Sequence, residues 1–324
     1  MIFFRKILLV CFFVVIFFIV LSCVYFIYSS RAIKSRHYYT KEGQGLSYIA
    51  DDLKKNGIIN NALQFKIYSK LWSIFNNCNG VKYGEYDILN NEKYSSILNK
   101  FCNGKTIVKS LTIPEGLETR EILDIINNCK DLRGKQIIFF EEGKLLPETY
   151  SFRSGTNREV ILEKMKQELL NFILKEWERR QKIDVIKTPE EAIILASMVE
   201  KETEIDEDRP IVAGVFINRL FRNMTLGSDP TVVYELTKGK YKFSRSLTKK
   251  DLLIKGDHNT YRKNGLPITP ICNPGKKSIL AVLHPAKTDY LYFIAKENQS
   301  KLIFAKNYKD HLKNKKLIKS KKSV

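Results

Sequence analysis

Three glutamates, Glu200, Glu202 and Glu204, stand at the end of the apolar run "IILASMV" that begins at Ile193. The chain has no Walker loop, no G-x-S-x-G elbow, no H-E-x-x-H and no dinucleotide fingerprint. Its four histidines, His37, His258, His284 and His311, lack metal-ligand spacing, so neither a zinc site nor a cofactor is expected. What remains is carboxyls among amides, hydroxyls and aromatics, an inventory suited to carbohydrate chemistry. A carboxyl shielded by apolar matter resists ionisation and holds a proton at neutral pH. Cleavage of a glycosidic bond needs that proton on the leaving oxygen. Glu200 follows directly on the apolar run and has the context for this task. The plainer alternative is a helix that leaves the core at Val199 and has no function there.

The positioning element is well marked. Thr188-Pro189-Glu190-Glu191 offers a hydroxyl at the N-cap, proline at the first helical position and glutamate at the third, a capping box. A helix is therefore expected from Pro189. From Ala192 to Val199 it is apolar all round except for Ser197, the pattern of a buried helix. At about 100° per residue Glu200 falls between Ile193 and Ala196, and Glu202 between Leu195 and Met198. Periodicity lets both face apolar matter and picks neither. A second helix, "RPIVAGVFINRLF", follows an acidic link. In "GSDPTVVYEL" Pro230 at the first helical position behind Ser228-Asp229 marks another start. Proline- and glycine-rich loops, a short helix and a strand over Tyr290–Ala295 complete this part.

Upstream, Arg158 to Lys182 reads as an amphipathic helix with Val160, Ile161, Met165, Leu169, Phe172 and Ile173 on one core-facing stripe. "TIVKSLTIPEG" reads as a strand closed by a turn at Pro114-Glu115-Gly116. Before it lies a strand-and-helix module. Leu46, Ile49, Ala50 and Leu53 mark one helix that stops at Asn56-Gly57, and Asn60 opens a second. "YGEYDI" reads as a strand, and a third helix ends at Asn103-Gly104. This module lacks a convergent catalytic set, and binding or spacing is its expected task.

Ile7 to Tyr28 contains no charge, the length of a membrane-spanning helix. The run continues past its only small residues, so an uncleaved anchor is expected rather than a cleaved signal peptide. Arg5 and Lys6 precede it, while Arg31, Lys34 and Arg36 follow it, so charge does not decide orientation. Long following domains translocate largely regardless of charge, which places the rest outside the cytoplasm. The net charge of +20 is spread along the chain except in the tail, where Lys306–Lys322 holds eight lysines against Asp310. A solvated, partly disordered tail is expected there. The spread of charge and the membrane span argue against a nucleic-acid role. Cys78, Cys102, Cys129 and Cys272 allow three pairings, or none.

The stretches "IPEGLETREI", "EEGKLLPETYSF", "ILASMVEKE", "VAGVFINRL", "LGSDPTVVYEL", "NTYRKNGLP" and "NPGKKSILAVLHPAKTDYLYFIA" occur in that order, from about Lys41 to Tyr308. Together they resemble the endolytic murein transglycosylase family, also called YceG-like. The fold class implied is α+β: an N-terminal transmembrane helix, a small LysM-like α/β subdomain and a larger mixed α+β catalytic domain. The divisions expected are 1–6 cytoplasmic, 7–28 transmembrane, 29–39 stem, 40–105 LysM-like, 106–308 catalytic and 309–324 basic tail. The resemblance implies a bacterial inner-membrane protein with its catalytic domain in the periplasm. It implies cleavage between N-acetylmuramic acid and N-acetylglucosamine within nascent peptidoglycan strands, leaving 1,6-anhydro ends. It places the acid, and then the base, at Glu200. Around Glu200 it implies substrate contacts from Asn218, Ser228, Asp229, Thr231, Tyr234, Asn259 and Tyr261. Each of these also has an ordinary structural reading, Asp229 as a helix N-cap and Tyr234 as core. Penicillin-binding synthases are the partners suggested. Gly227 stands where the family often has glutamine, Lys144 where an aromatic is common, and Glu148 where aspartate is. A non-catalytic glycan-binding scaffold and a hydrolase acting through water, with Asp229 as its base, are the competing readings.

Overall fold

The computed structural model describes residues 2–78, 80–295 and 301–320, with side chains from Cys11 to Ile318. The charge-free N-terminal run holds no glycine or proline to break it and winds as one helix, α1 (Ile2–Ser29). Its stretch Cys11–Ser29 has mean hydropathy 2.8 and is long and apolar enough to cross a membrane. Among the described residues it is the one helix of that kind.

The chain divides into two compact units, Met1–Lys109 with Phe152–Gly155, and Ser110–Ser151 with Thr156–Val324. The first contains β1 (Arg36–Thr40), α2 (Leu46–Lys55), α3 (Ala62–Asn76), β2 (Gly84–Ile88) and α4 (Tyr94–Asn103). β1 and β2 pair antiparallel from Arg36 opposite Ile88 to Thr40 opposite Gly84. Residues 36–39, expected in a stem, are thus strand, because alternation turns Tyr38 and Thr40 inward against the helices. Ile49, Leu53, Phe65, Tyr86 and Phe101 form the core. The cap of α3 is Asn61, one residue beyond the Asn60 expected; its side chain accepts the Gln64 N–H. Cys78 and Cys102 form a disulfide, and Cys129 and Cys272 are free thiols.

The second unit follows. β3 (Val108–Thr112) and β5 (Thr149–Arg153) lie at the division. Beyond them are α5 (Thr119–Asn128), β4 (Leu132–Arg133), β6 (Thr156–Asn157), α6 (Arg158–Arg179), α7 (Pro189–Glu202), α8 (Arg209–Phe221), α9 (Asp229–Thr237), α10 (Lys276–Leu283), β7 (Tyr292–Ala295), β8 (Leu302–Ala305) and α11 (Tyr308–Ser320). α6 stops three residues short of Lys182: Arg180 is extended, its guanidinium stacks 3.6 Å from the Trp177 ring, and it donates to the Trp177 carbonyl. Val160 leaves the expected core stripe and is 57% exposed. The capping box of α7 is formed, Thr188 and Glu191 bonding each other's backbone.

α7 is the central element. Ala192, Leu195, Ala196, Ser197, Met198 and Val199 are all buried, packed by α6, α8, α9 and α10. Burying an apolar side chain of this size contributes roughly 1.5–3 kcal/mol, and that anchoring fixes where the carboxyls at the end of α7 must lie. The tail departs from expectation, since Tyr308–Ser320 is a helix. His311 of α11 stacks 5.3 Å from Tyr292 of β7, an aromatic contact that a charge count does not reveal.

Candidate active site

Two carboxyls at the end of α7 point into different surroundings. The Glu200 side chain is 6% exposed, as is that of Arg209 from α8. Its Oε1 accepts from Arg209 Nη1 at 3.0 Å, and its Oε2 accepts the Gly275 N–H at 3.0 Å. Arg209 also donates to Ser278 Oγ at 2.5 Å and to Asp206 at 3.3 Å, and Lys277 closes the network on Asp206. The apolar pocket expected around Glu200 is therefore replaced by a donor-lined one. The reason is long-range: Arg209 and the start of α10 arrive from residues that helical periodicity does not see. Glu115 closes this site, for a Cβ at Gly275 would collide with its carboxyl. Burial, and then the charge of Glu200, push the Glu115 carboxyl above its usual range. Gly116 has a left-handed φ of +75°, and a Cβ there would press on Glu200 Cγ at 3.3 Å.

Glu202 lies about 200° further round the helix. Ser228 Oγ donates to its Oε1 at 2.6 Å. Burial, assisted by the charge of Asp229, pushes this carboxyl up to about 7, while the Ser228 hydrogen bond and Arg219 hold it down. It is therefore partly protonated at neutral pH. Asp229 Oδ1 accepts from Tyr261 Oη at 2.6 Å, and Tyr261 is 37% exposed. Burial and Asp229 push the Tyr261 phenol up. Arg219 is fixed by its Nε on the Leu291 carbonyl at 2.6 Å and its Nη1 on the Leu226 carbonyl at 2.7 Å. A Cβ at Gly227 would lie 3.4 Å from Arg219 Nη1 and 3.6 Å from Tyr261 Cε1, so this glycine leaves the space between them unfilled. The loop is pinned from behind: Thr260 Oγ1 accepts the Ser228 N–H at 3.0 Å, and Thr231 Oγ1 donates to the Ser228 carbonyl at 2.6 Å.

Of the seven residues expected around Glu200, three join Glu202 instead: Ser228, Asp229 and Tyr261. Thr231 is fully buried and holds the loop from within. Asn218 donates to the Thr288 and Tyr290 carbonyls, and Asn259 to those of Leu252 and Ile254; both tie down backbone. Tyr234 is buried in the core beside His258 and has no bond to either glutamate. The N-cap of α9 is Ser228, not Asp229, which is the first helical residue and spends its carboxylate on Tyr261. Arg219 and Thr260 were not singled out by sequence, since an arginine at the end of an apolar helix carries no local mark of its partners. His258 is committed to Glu235 and Thr269. Among the described residues no three His, Cys, Asp or Glu side chains group to hold a metal ion.

Residues 38–317 match the YceG-like family. The chain is 34% identical over 307 residues to the endolytic murein transglycosylase of Bacillus subtilis, covering 84% of this chain and 82% of that protein. It is 26% identical over 318 residues to the endolytic murein transglycosylase of Streptococcus pneumoniae D39, of whose length it spans 56%. The crystal structure of a YceG-like protein from Listeria monocytogenes superposes with a TM-score of 0.50 at 29% identity, over 87% of this chain and 99% of that one. With the family match running through both units, the chain belongs to the YceG-like family.

Proposed function

We propose that this chain is a peptidoglycan lytic transglycosylase that cuts within glycan strands, as the name endolytic murein transglycosylase says of its relatives. Glu202 is the carboxyl that carries the reaction. As an acid it protonates the oxygen leaving C1 of N-acetylmuramic acid. As a carboxylate it then takes the proton of that sugar's own 6-hydroxyl, whose oxygen attacks C1 and closes the 1,6-anhydro ring. One group serves both steps, so no second carboxyl for water is needed, in contrast to hydrolases. The observation that carries this assignment is the position of Glu202, protonatable near pH 7 and beside Ser228 and the Asp229–Tyr261 pair. An acid–base group works best with a proton affinity near the working pH. Glu200, the residue implied by the sequence resemblance, is instead ion-paired with Arg209 and accepts the Gly275 N–H. In this reading it ties α7 to α8 and α10.

The test is mass analysis of uncrosslinked glycan strands after incubation with wild type, Glu202→Gln and Glu200→Gln. Internal fragments with anhydro ends from wild type, absent with Glu202→Gln, support the assignment. Loss with a stably folded Glu200→Gln and full activity with Glu202→Gln would return the role to Glu200. Reducing ends would point to a hydrolase acting through water.

α1 anchors the chain with residues 1–6 in the cytoplasm, and the part that follows the span lies outside it. The Cys78–Cys102 disulfide supports this orientation, because disulfides persist in oxidising compartments. The strand–helix–helix–strand order of the first unit, closed by an antiparallel pair, supports a LysM-like glycan-binding task for residues 40–105. Residues 106–308 form the catalytic part. Penicillin-binding synthases complete the proposal as partners, to be tested by membrane crosslinking.

A further inference from the structure

The second unit contains a cavity of about 870 Å³ that holds neither Glu200 nor Glu202. Its size falls within the roughly 300–1,000 Å³ of small-molecule sites. α5, the segment Gln136–Lys144, α7 and α9 form its walls. At its inner end lies Glu142, whose Oε1 accepts from the Thr119 N–H at 2.9 Å, Thr119 Oγ1 at 2.8 Å and Asn273 Nδ2 at 2.9 Å. Its Oε2 faces Gly239 and Tyr234. A Cβ at Gly239 would lie 3.4 Å from this oxygen and 3.6 Å from Tyr234 Oη, so the glycine leaves room beside both. At the rim Ile138 is 92% and Phe139 75% exposed, an apolar platform beside a polar floor.

We infer that this cavity is a second saccharide-binding site, taking a neutral N-acetylated amino sugar of the strand, with Phe139 against the sugar face and Glu142 and Tyr234 on its hydroxyls. Burial pushes the Glu142 carboxyl up, which suits an uncharged ligand rather than a cation. The inference rests on the glycan reading, and Tyr234, which lines this cavity, stands apart from Glu202. Asp229 and Tyr234 are five residues apart on α9, roughly 7.5 Å of rise and about 140° of rotation, so the cavity and the Glu202 site open from different faces of that helix.

The test uses the full chain in detergent carrying Glu202→Gln, titrated calorimetrically with chitotetraose. Phe139→Ala removes the exposed platform, and Ile194→Trp fills the cavity from α7. The expected result is binding that weakens at least tenfold in both variants, or one site fewer per chain, with unfolding temperature unchanged. Equal affinity and stoichiometry in both variants would overturn the proposal. So would absence of binding by a protein whose Glu202 form still cuts strands, an outcome that leaves the transglycosylase reading standing. Failure of both binding and cutting would remove the glycan reading together with the cavity proposal.

Discussion

Replacing Glu202 by glutamine changes stability in a way that depends on pH, and the size follows from its surroundings. The folded protein holds this carboxyl at about 7, against 4.5 for a free glutamate. A group with raised proton affinity in the fold binds more protons folded than unfolded, so stability falls as pH rises from 4.5 to 7. At about 1.4 kcal/mol per tenfold change in affinity, ionisation costs the folded state about 3 kcal/mol by about pH 8. Glutamine keeps the shape and the acceptor for Ser228 without the charge. Wild type and Glu202→Gln should therefore differ least at about pH 4, and the variant should gain about 3 kcal/mol relative to wild type by about pH 8. Glu115, Glu118 and Glu142 are also raised, but they are common to both chains and cancel in the difference. The chain has two tryptophans, Trp72 in the first unit and Trp177 in the second. In a Trp72→Phe background, urea unfolding followed by Trp177 fluorescence reports the second unit alone. A difference that stays constant within about 0.5 kcal/mol from about pH 4 to 8 would refute the raised proton affinity of Glu202 and the mechanism built on it.

Asp229→Asn removes a charge that raises Glu202, so the alkaline limb of kcat/KM should move to lower pH; a limb that stays in place would show that Asp229 does not act on the acid. Glu200→Gln leaves buried Arg209 without its full counter-charge, and loss of one partner of a buried pair costs about 3–5 kcal/mol. Urea unfolding read at Trp177 should show that loss, with anhydro products still formed by the folded fraction. Replacing Cys78 and Cys102 by serine opens a loop of sequence separation 24 and should lower the stability of the first unit by about 3 kcal/mol, read at Trp72 in a Trp177→Phe background. The same change should leave Trp177-reported stability of the second unit unaltered.

The elements with strong local marks were legible in the sequence. The start of α7 was written in Thr188 and Glu191, which bond each other's backbone across three residues, and in Pro189 at the first helical position, so no distant partner is needed. The same holds for the charge-free run Ile7–Tyr28 within α1 and for the end of α4 at Gly104, whose left-handed backbone suits glycine. Helical periodicity did not separate Glu200 from Glu202, and only the family resemblance pointed to Glu200. Both step out of the same apolar cylinder, and periodicity gives them equivalent surroundings. Tertiary structure sets the surroundings of each through groups far along the chain: Arg209 and Gly275 close on Glu200, while Ser228 and Asp229 close on Glu202. The cysteine pairing, the exposure of Val160 and the placement of Tyr234 away from both glutamates were undecidable for the same reason. Local hydrogen bonds and helical periodicity are properties of neighbouring residues, whereas the proton affinity of a carboxyl is set by whatever the fold brings against it.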